Sequence, residues 1–244
     1  MTSMSTIADN VARVRDEIVN ACARVNRDPE GVTLIAVSKT KPAEDILHAI
    51  EAGLQHFGEN RVQESQEKIP LVESQTDKPL VWHMIGHVQS RKAKEVVPLF
   101  EVVHSIDSIK LADKLAKSVS ESARSINALI EINVSGEISK EGLNAYGWQS
   151  NQKIKEDISD QIRHISQLAG LNVIGLMTMA PFVDNMAGTR PVFADLAALR
   201  EMLSNTLNIS LPELSMGMTN DYPIAIEEGA TMVRVGRAIF GERS

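Results

Sequence analysis

Two stretches of this chain could do chemistry, and they lie near opposite ends. In "GVTLIAVSKTKP" (Gly31 to Pro42) every residue from Val32 to Val37 is apolar except the β-branched Thr33. That is the pattern of a strand buried on both faces, yet it runs through Ser38 into Lys39. A lysine at such a strand end is expected to be partly desolvated, which disfavours the ammonium and makes the neutral amine available. A neutral amine attacks carbonyl groups to form a Schiff base. The plainer alternative is that Lys39 reaches past the strand end to water, and the lysine alone leaves both readings open.

The second stretch is a pair of segments, "LSMGMTND" and "VRVGRAIFG". Here Ser215 and Thr219 could donate hydroxyl hydrogen bonds, Gly217 and Gly236 could let the backbone approach closely, and Arg234 or Arg237 could add positive charge. Those are the parts of a phosphate cradle. Singly, each glycine is a turn device and the methionines Met177, Met179, Met216 and Met218 are core filler. A Schiff-base lysine combined with a phosphate cradle suits two ligand classes: pyridoxal 5′-phosphate, an aldehyde carrying a phosphate, or a phosphosugar substrate of a lysine-dependent aldolase.

Both stretches must be brought to one place by the elements between them. Apolar residues at helical spacing predict an amphipathic helix over 5–26, after which strand and helix patterns alternate. Strands are expected at "VTLIAV", "HFGEN", "LVWHMIG", "EVVHSID", "INALIEINVS", "LNVIGLMTMAP", "ELSMGMT" and "TMVRVGRAIFG", with helical patterns between them. The segment 136–151 is polar and turn-rich, and reads as a long loop. Eight such units without a Gly-rich dinucleotide loop after the first strand predict an α/β fold, a single (β/α)8 barrel over about 32–241 with an additional N-terminal helix. No composition shift marks a linker, so residues 1–244 are read as one domain. In such a barrel the C-terminal strand ends form the active rim, which gathers Lys39, Asn60, His83, Ser215 to Thr219 and Arg234 to Arg237.

Composition removes several function classes. The 244 residues carry 25 basic and 32 acidic side chains, net −7, so no general attraction to nucleic acid or to an anionic membrane face is expected. One cysteine, Cys22, excludes an internal disulfide and reads as a small buried residue. No stretch approaches the ~18 consecutive apolar residues of a spanning helix. The start lacks the apolar core of a secretory signal, so a cytoplasmic protein is expected. His83 and His87 are four apart but sit in a strand followed by a turn, so no helical face presents them to a metal. His48 and His164 read as surface or boundary residues, Lys41 as a solvent-facing loop residue, and the run "EKIPLVESQTDK" as a solvated helix and loop.

Seven segments in order, "AVSKTKP", "FGENRVQE", "WHMIGHVQSRK", "HSID", "GLMTMAP", "LSMGMTND" and "TMVRVGRAIFG", resemble the pyridoxal phosphate homeostasis protein family. The match runs from about Val32 to Gly241, almost the whole chain. The resemblance implies a barrel like the N-terminal domain of alanine racemase, with pyridoxal 5′-phosphate held as a Schiff base on Lys39. It implies that the phosphate rests on Ser215, Gly217, Thr219, Arg234 and Gly236, and that Asn60 and His83 face the ring. Thr219 stands where serine is common in the family, which keeps the hydroxyl. The tail of the 136–151 loop looks individual to this chain, so no role is carried onto Tyr146 or Trp148.

Three activities are compatible with these residues. The first is a carrier that takes part in vitamin B6 homeostasis and hands the cofactor to apo forms of pyridoxal-phosphate enzymes, with no catalysis of its own. The second is a single-domain amino-acid racemase, which needs two bases on opposite faces of the substrate carbon; the chain has only two tyrosines, Tyr146 in the loop and Tyr222 at a helix start. The third is a phosphosugar aldolase. A lone barrel is expected to be monomeric.

Overall fold

The structure, a computed structural model, describes residues 4–122, 124–137, 140–181, 183 and 185–242. The ends of the expected 1–244 domain, and Ile138 and Ser139 of the long loop, lie outside the described residues. After α1 (Met4–Arg24), strands and helices alternate in chain order: β1 (Thr33–Val37), α2 (Ala43–Glu51), β2 (His56–Glu59), α3 (Val62–Glu73) and β3 (Val81–Met84). Then come α4 (Ala93–Val96), β4 (Val102–Ile106), α5 (Ile109–Ser122), β5 (Ile126–Asn133), β6 (Leu143–Asn144) and α6 (Gln152–Ser166). The series ends with β7 (Leu171–Met177), α7 (Arg190–Leu207), β8 (Glu213–Met218), α8 (Tyr222–Glu227), β9 (Met232–Val235) and α9 (Arg237–Phe240).

The strands pair in the order β4-β3-β2-β1-β9-β8-β7-β5, all parallel, and β4 pairs back onto β5. Eight strands therefore close into a barrel. Parallel strands in a barrel are covered on both faces, which is why they read as apolar runs; β4 is buried at every residue. The helices supply the outer cover through their apolar stripes, such as Leu111, Leu115 and Val119 of α5 and Phe193, Leu196, Leu199 and Leu203 of α7.

The N-terminal helix closes the outside of the barrel beside its first and last strands. Ile7, Val11, Val14, Ile18, Ala21 and Cys22 form one buried stripe, and α1 packs on α2, α8 and α9. Polar groups on and just beyond α1 satisfy carbonyls at the ends of its neighbours: Arg15 Nη2 donates to Gly53 O at 2.8 Å, Arg27 Nη2 to Ala230 O at 2.9 Å, and Asn10 Nδ2 to Ile239 O at 2.8 Å.

Three local expectations are corrected. The final apolar run does not continue as strand to Gly241: β9 stops at Val235, and 237–240 turn into α9, burying Ile239 and Phe240. A short apolar run fits a buried strand or a buried helical turn equally well, so periodicity could not decide it. The helical pattern at 91–100 yields only a 3-10 turn and the four-residue α4, interrupted before Pro98. Within the long loop, β6 adds a two-residue strand to the far end of β5.

Two kinds of side chain fill the barrel. Ile35, Val102, Leu129, Met177 and Met232 form an apolar cluster of their own. Beside them His83, His104, Ser215 and Arg234 are buried and polar, joined by hydrogen bonds that cross the lumen.

Candidate functional site

At the C-terminal mouth of the barrel the strand ends enclose a cleft of about 540 Å³. Lys39, Asn60, Thr219, Arg234, Gly236 and Arg237 are among the residues lining it. Lys39 is half-buried, on the turn that follows β1.

That turn is bonded on both sides of the lysine. Before it, the Ser38 N–H donates to Gly58 O at 3.0 Å, its hydroxyl donates to Glu59 Oε1 at 2.6 Å, and its carbonyl accepts from Lys68 Nζ at 3.0 Å. After it, Thr40 lies in the left-handed region with φ 64°, a conformation that costs a β-branched residue roughly 1–2 kcal/mol. It is held there by its N–H bond to Glu64 Oε1 at 2.6 Å. Lys68 ties the two sides together, since it pairs with Glu64 and meets Glu59 Oε1 at 3.1 Å and Oε2 at 3.3 Å. Burial pushes the Glu59 carboxyl up, and Lys68 and Ser38 work against that rise. For Glu64 burial also pushes up, but the hydrogen bonds from Lys68 and Thr40 hold it below its ordinary range.

The opposite wall comes from the ends of β8 and β9. The Gly236 N–H reaches Thr219 Oγ1 at 3.4 Å, and Asp221 folds the intervening turn by accepting the Met218 N–H at 2.6 Å. Arg234 forms the floor: it is 4% exposed, donates to Ser215 Oγ at 2.5 Å and to Thr178 O at 3.0 Å, and still lines the cleft. Burial pulls its guanidinium down to about 10, against the supporting charges of Glu131 and Asp221. The Glu131 carboxyl is pushed up to about 7, first by burial and then by Asp107. Across the cleft, Asn60 Oδ1 is buried without a hydrogen-bond partner among the described residues. A buried polar atom normally finds a partner, so this one fits a ligand that brings a polar edge against it.

The expected site residues therefore divide. Lys39, Asn60, Thr219, Arg234 and Gly236 share the cleft; Ser215, Gly217 and His83 do not line it. Ser215 lies one layer down, accepting from Arg234, with its hydroxyl 2.8 Å from His104 Nδ1. His83 is 1% exposed inside the barrel between His56 and His104, so it does not reach a ligand at the rim. Gly217 has φ 92°, and a Cβ there would sit 2.6 Å from Ala225 Cβ and 2.8 Å from Tyr222 Cα, so helix packing is what requires a glycine.

Other readings change as well. Lys41, expected in solvent, donates to Phe240 O and Glu242 O, both at 3.0 Å, and ties the β1 turn to the end of α9. Lys68, read as part of a solvated helix, has a side chain only 10% exposed. His83 and His87 do not converge; His87 instead pairs at the surface with Asp107 at 2.9 Å and Glu141 at 2.5 Å. Within this network only the Glu64–Lys68 pair, four apart on α3, has a spacing that signals it; the bonds to Ser38, Thr40 and Glu59 join different elements. A charged residue at the end of a buried strand, Glu59 in "HFGEN", was a further hint.

Comparison with known proteins bears on this arrangement. The family model described as "Alanine racemase, N-terminal domain" matches residues 3–244. A pyridoxal phosphate homeostasis protein of Pseudomonas aeruginosa is 41% identical, over 98% of this chain and 97% of that protein. The chain belongs to the pyridoxal phosphate homeostasis protein family. Its fold matches PipY of Synechococcus elongatus, a structure described as having pyridoxal phosphate bound, with a TM-score of 0.81 and 35% identity over 96% of this chain and 100% of that one. Alanine racemase from Corynebacterium glutamicum shares the fold at 12% identity and a TM-score of 0.69, with 98% of this chain covering 61% of the enzyme. For this family member the barrel and its membership in the alanine racemase-like group are thus established. No helix among the described residues is long and apolar enough to cross a membrane.

Proposed function

We propose that this family member binds pyridoxal 5′-phosphate in the cleft as a Schiff base on Lys39 and serves intracellular vitamin B6 homeostasis as a holder of the cofactor. The carrying observation is that Lys39, on a turn bonded before and after it, shares one cleft with the buried Arg234 and with the Thr219–Gly236 wall. The Lys39 amine would attack the aldehyde carbon, and the carbonyl oxygen would leave as water. Thr219, the Gly236 amide and Arg237 would hold the phosphate, Arg234 would add positive charge at the floor of the cleft, and Asn60 would offer a polar contact. Ser215 and His83 support Arg234 from below rather than touching the ligand. The whole of 1–244 acts as one cofactor-binding domain in the cytoplasm, a monomer with apo pyridoxal-phosphate enzymes as acceptors.

The same cleft argues against racemisation as the physiological role. Tyr146 is 59% exposed, Tyr222 packs at the start of α8, and neither lines the cleft. A second base facing Lys39 across a substrate carbon is what controlled proton return needs. The purified protein should be yellow, with a visible band absent in Lys39→Ala; a band that survives in that variant would exclude Lys39 as the attachment point. Incubation with a panel of amino acids in deuterated water should give no catalytic exchange of the Cα hydrogen, and turnover with any of them would favour the racemase reading. A colourless protein trapped by borohydride only with a phosphosugar present would favour the aldolase.

A further inference from the structure

His104 lies on β4, fully buried, with both ring nitrogens engaged: Nδ1 is 2.8 Å from Ser215 Oγ, and Nε2 is 2.8 Å from His83 Nδ1. His83 Nε2 is in turn 3.0 Å from His56 Nδ1. Because β4 and β8 are not neighbours in the sheet, the His104–Ser215 bond spans the lumen. The result is one hydrogen-bonded line, Arg234–Ser215–His104–His83–His56, running from the floor of the Lys39 cleft toward the N-terminal end of the barrel. There the half-buried His56 lines a second cleft, of about 460 Å³, beside Arg15 and Leu34.

Donor and acceptor chemistry fixes every proton on this line. A guanidinium only donates, so the Ser215 oxygen accepts from Arg234. Ser215 is 0% exposed, and its own hydroxyl proton needs an acceptor; among the described residues His104 Nδ1 is the one within reach. His104 then carries its proton on Nε2 and donates to His83 Nδ1, and His83 carries its proton on Nε2 and donates to His56 Nδ1. All three rings are neutral on this assignment. Burial agrees, holding His104 well below its ordinary range and His83 down to about 3, with the neighbouring imidazoles and Arg234 adding to the effect. The charged groups acting on Arg234 from other elements are Glu131 on β5 and Asp221 after β8.

We propose that His104, set in one tautomer by His83 and His56, is a positioning residue for the cofactor site: it takes the Ser215 proton, leaves the Ser215 oxygen to Arg234, and so fixes the guanidinium in the cleft that Lys39 lines. Without an acceptor at Nδ1 the buried hydroxyl turns to find another, and Arg234 loses one of its two fixed acceptors. The inference rests on the Lys39 reading above, and its test separates the two.

His104→Asn places an amide oxygen near the Nδ1 position and keeps the acceptor facing Ser215, whereas His104→Gln places its amide near Nε2 and removes that acceptor. Each protein is loaded with pyridoxal 5′-phosphate, and borohydride reduction with mass spectrometry confirms Lys39 occupancy; a parent protein that fails to load refutes the Lys39 reading, not the role of His104. In the loaded proteins, cofactor release on dilution and the pH midpoint of the visible band are measured. His104→Asn should stay within about twofold of the parent in release, and His104→Gln should release about tenfold faster with a displaced midpoint, as for one lost hydrogen bond to a charged group. Gln matching the parent, or Asn as impaired as Gln, overturns the proposal. Nitrogen-15 NMR of the parent gives a reading that does not depend on any variant folding: His104 and His83 should be Nε2–H tautomers that do not titrate between about pH 6 and 8, and an Nδ1–H on His104 overturns the assignment.

Discussion

Lys68→Met is the sharpest perturbation of the turn that carries Lys39. The lysine is the only cation bonded to Glu59 among the described residues, and the Glu59 side chain is fully buried. Removing one partner of a buried pair leaves an uncompensated charge and typically costs about 3–5 kcal/mol. We expect about 3 kcal/mol here, because the Ser38 hydroxyl still donates to Glu59, and that is a large part of the ~5–15 kcal/mol of a typical domain. The sign with pH follows from the direction of the Glu59 shift. Burial already raises this carboxyl above its unfolded value and Lys68 opposes the rise, so the variant raises it further. A raised carboxyl holds a proton in the native state that the unfolded chain has released, so stability falls as pH rises between the unfolded and folded pKa values. The deficit of Lys68→Met should therefore be small near an unfolded carboxyl pKa of ~4.3, grow as pH rises, and be full only above the variant's own raised folded value. Adding Glu59→Gln removes the stranded charge and should restore about 1–2 kcal/mol. Urea unfolding of the parent, both single variants and the double variant, at pH 5 and pH 8, reads all of this. Additive costs, or a deficit independent of pH, would refute the network as the anchor of the turn.

Gly217→Ala combines a positive φ with a Cβ pushed into Ala225 and Tyr222, and should cost about 2–4 kcal/mol by thermal denaturation; a loss below about 1 kcal/mol contradicts the packing account. Glu131, whose carboxyl rises from 4.5 to about 7, makes the native state less stable as pH climbs through that window. Glu131→Gln should flatten the pH dependence there, and an unchanged slope in urea midpoints at pH 5 and pH 8 would remove Glu131 as its source. Arg27→Ala strips a donor from the Ala230 carbonyl and from the last turn of α8, and a loss of about 1–2 kcal/mol is expected in the same measurement.

Much of this was legible in the residues. Strands buried on both faces announce themselves as apolar runs, so the alternation, the barrel and the rim position of Lys39 followed from periodicity. The stripe Ile7, Val11, Val14, Ile18 placed α1 for the same reason. Composition also pointed to the end of β8 and β9, where Thr219, Arg234 and Gly236 do meet. Depth was not legible: Ser215 and Thr219, four apart, read as equivalent hydroxyls, and it is position along the chain that separates them, Ser215 lying within β8 and buried in the lumen, Thr219 just past the strand's end at the rim. His83 was misplaced for a related reason, since a residue near the end of a strand can face the lumen below the mouth. Bonds that join different elements, such as Ser38–Glu59, Glu59–Lys68 or His83–His104–Ser215, follow no sequence period. They exist only once the barrel has closed.

Lys39 as the point of covalent attachment is the claim on which the rest depends. The measurement that tests it most directly is borohydride reduction of the protein with pyridoxal 5′-phosphate, followed by proteolysis and mass spectrometric mapping of the modified peptide. A single phosphopyridoxyl group is expected, on Lys39 within the segment that carries "AVSKTKP". Modification spread over exposed lysines such as Lys78 and Lys94, with Lys39 unlabelled, would rule it out.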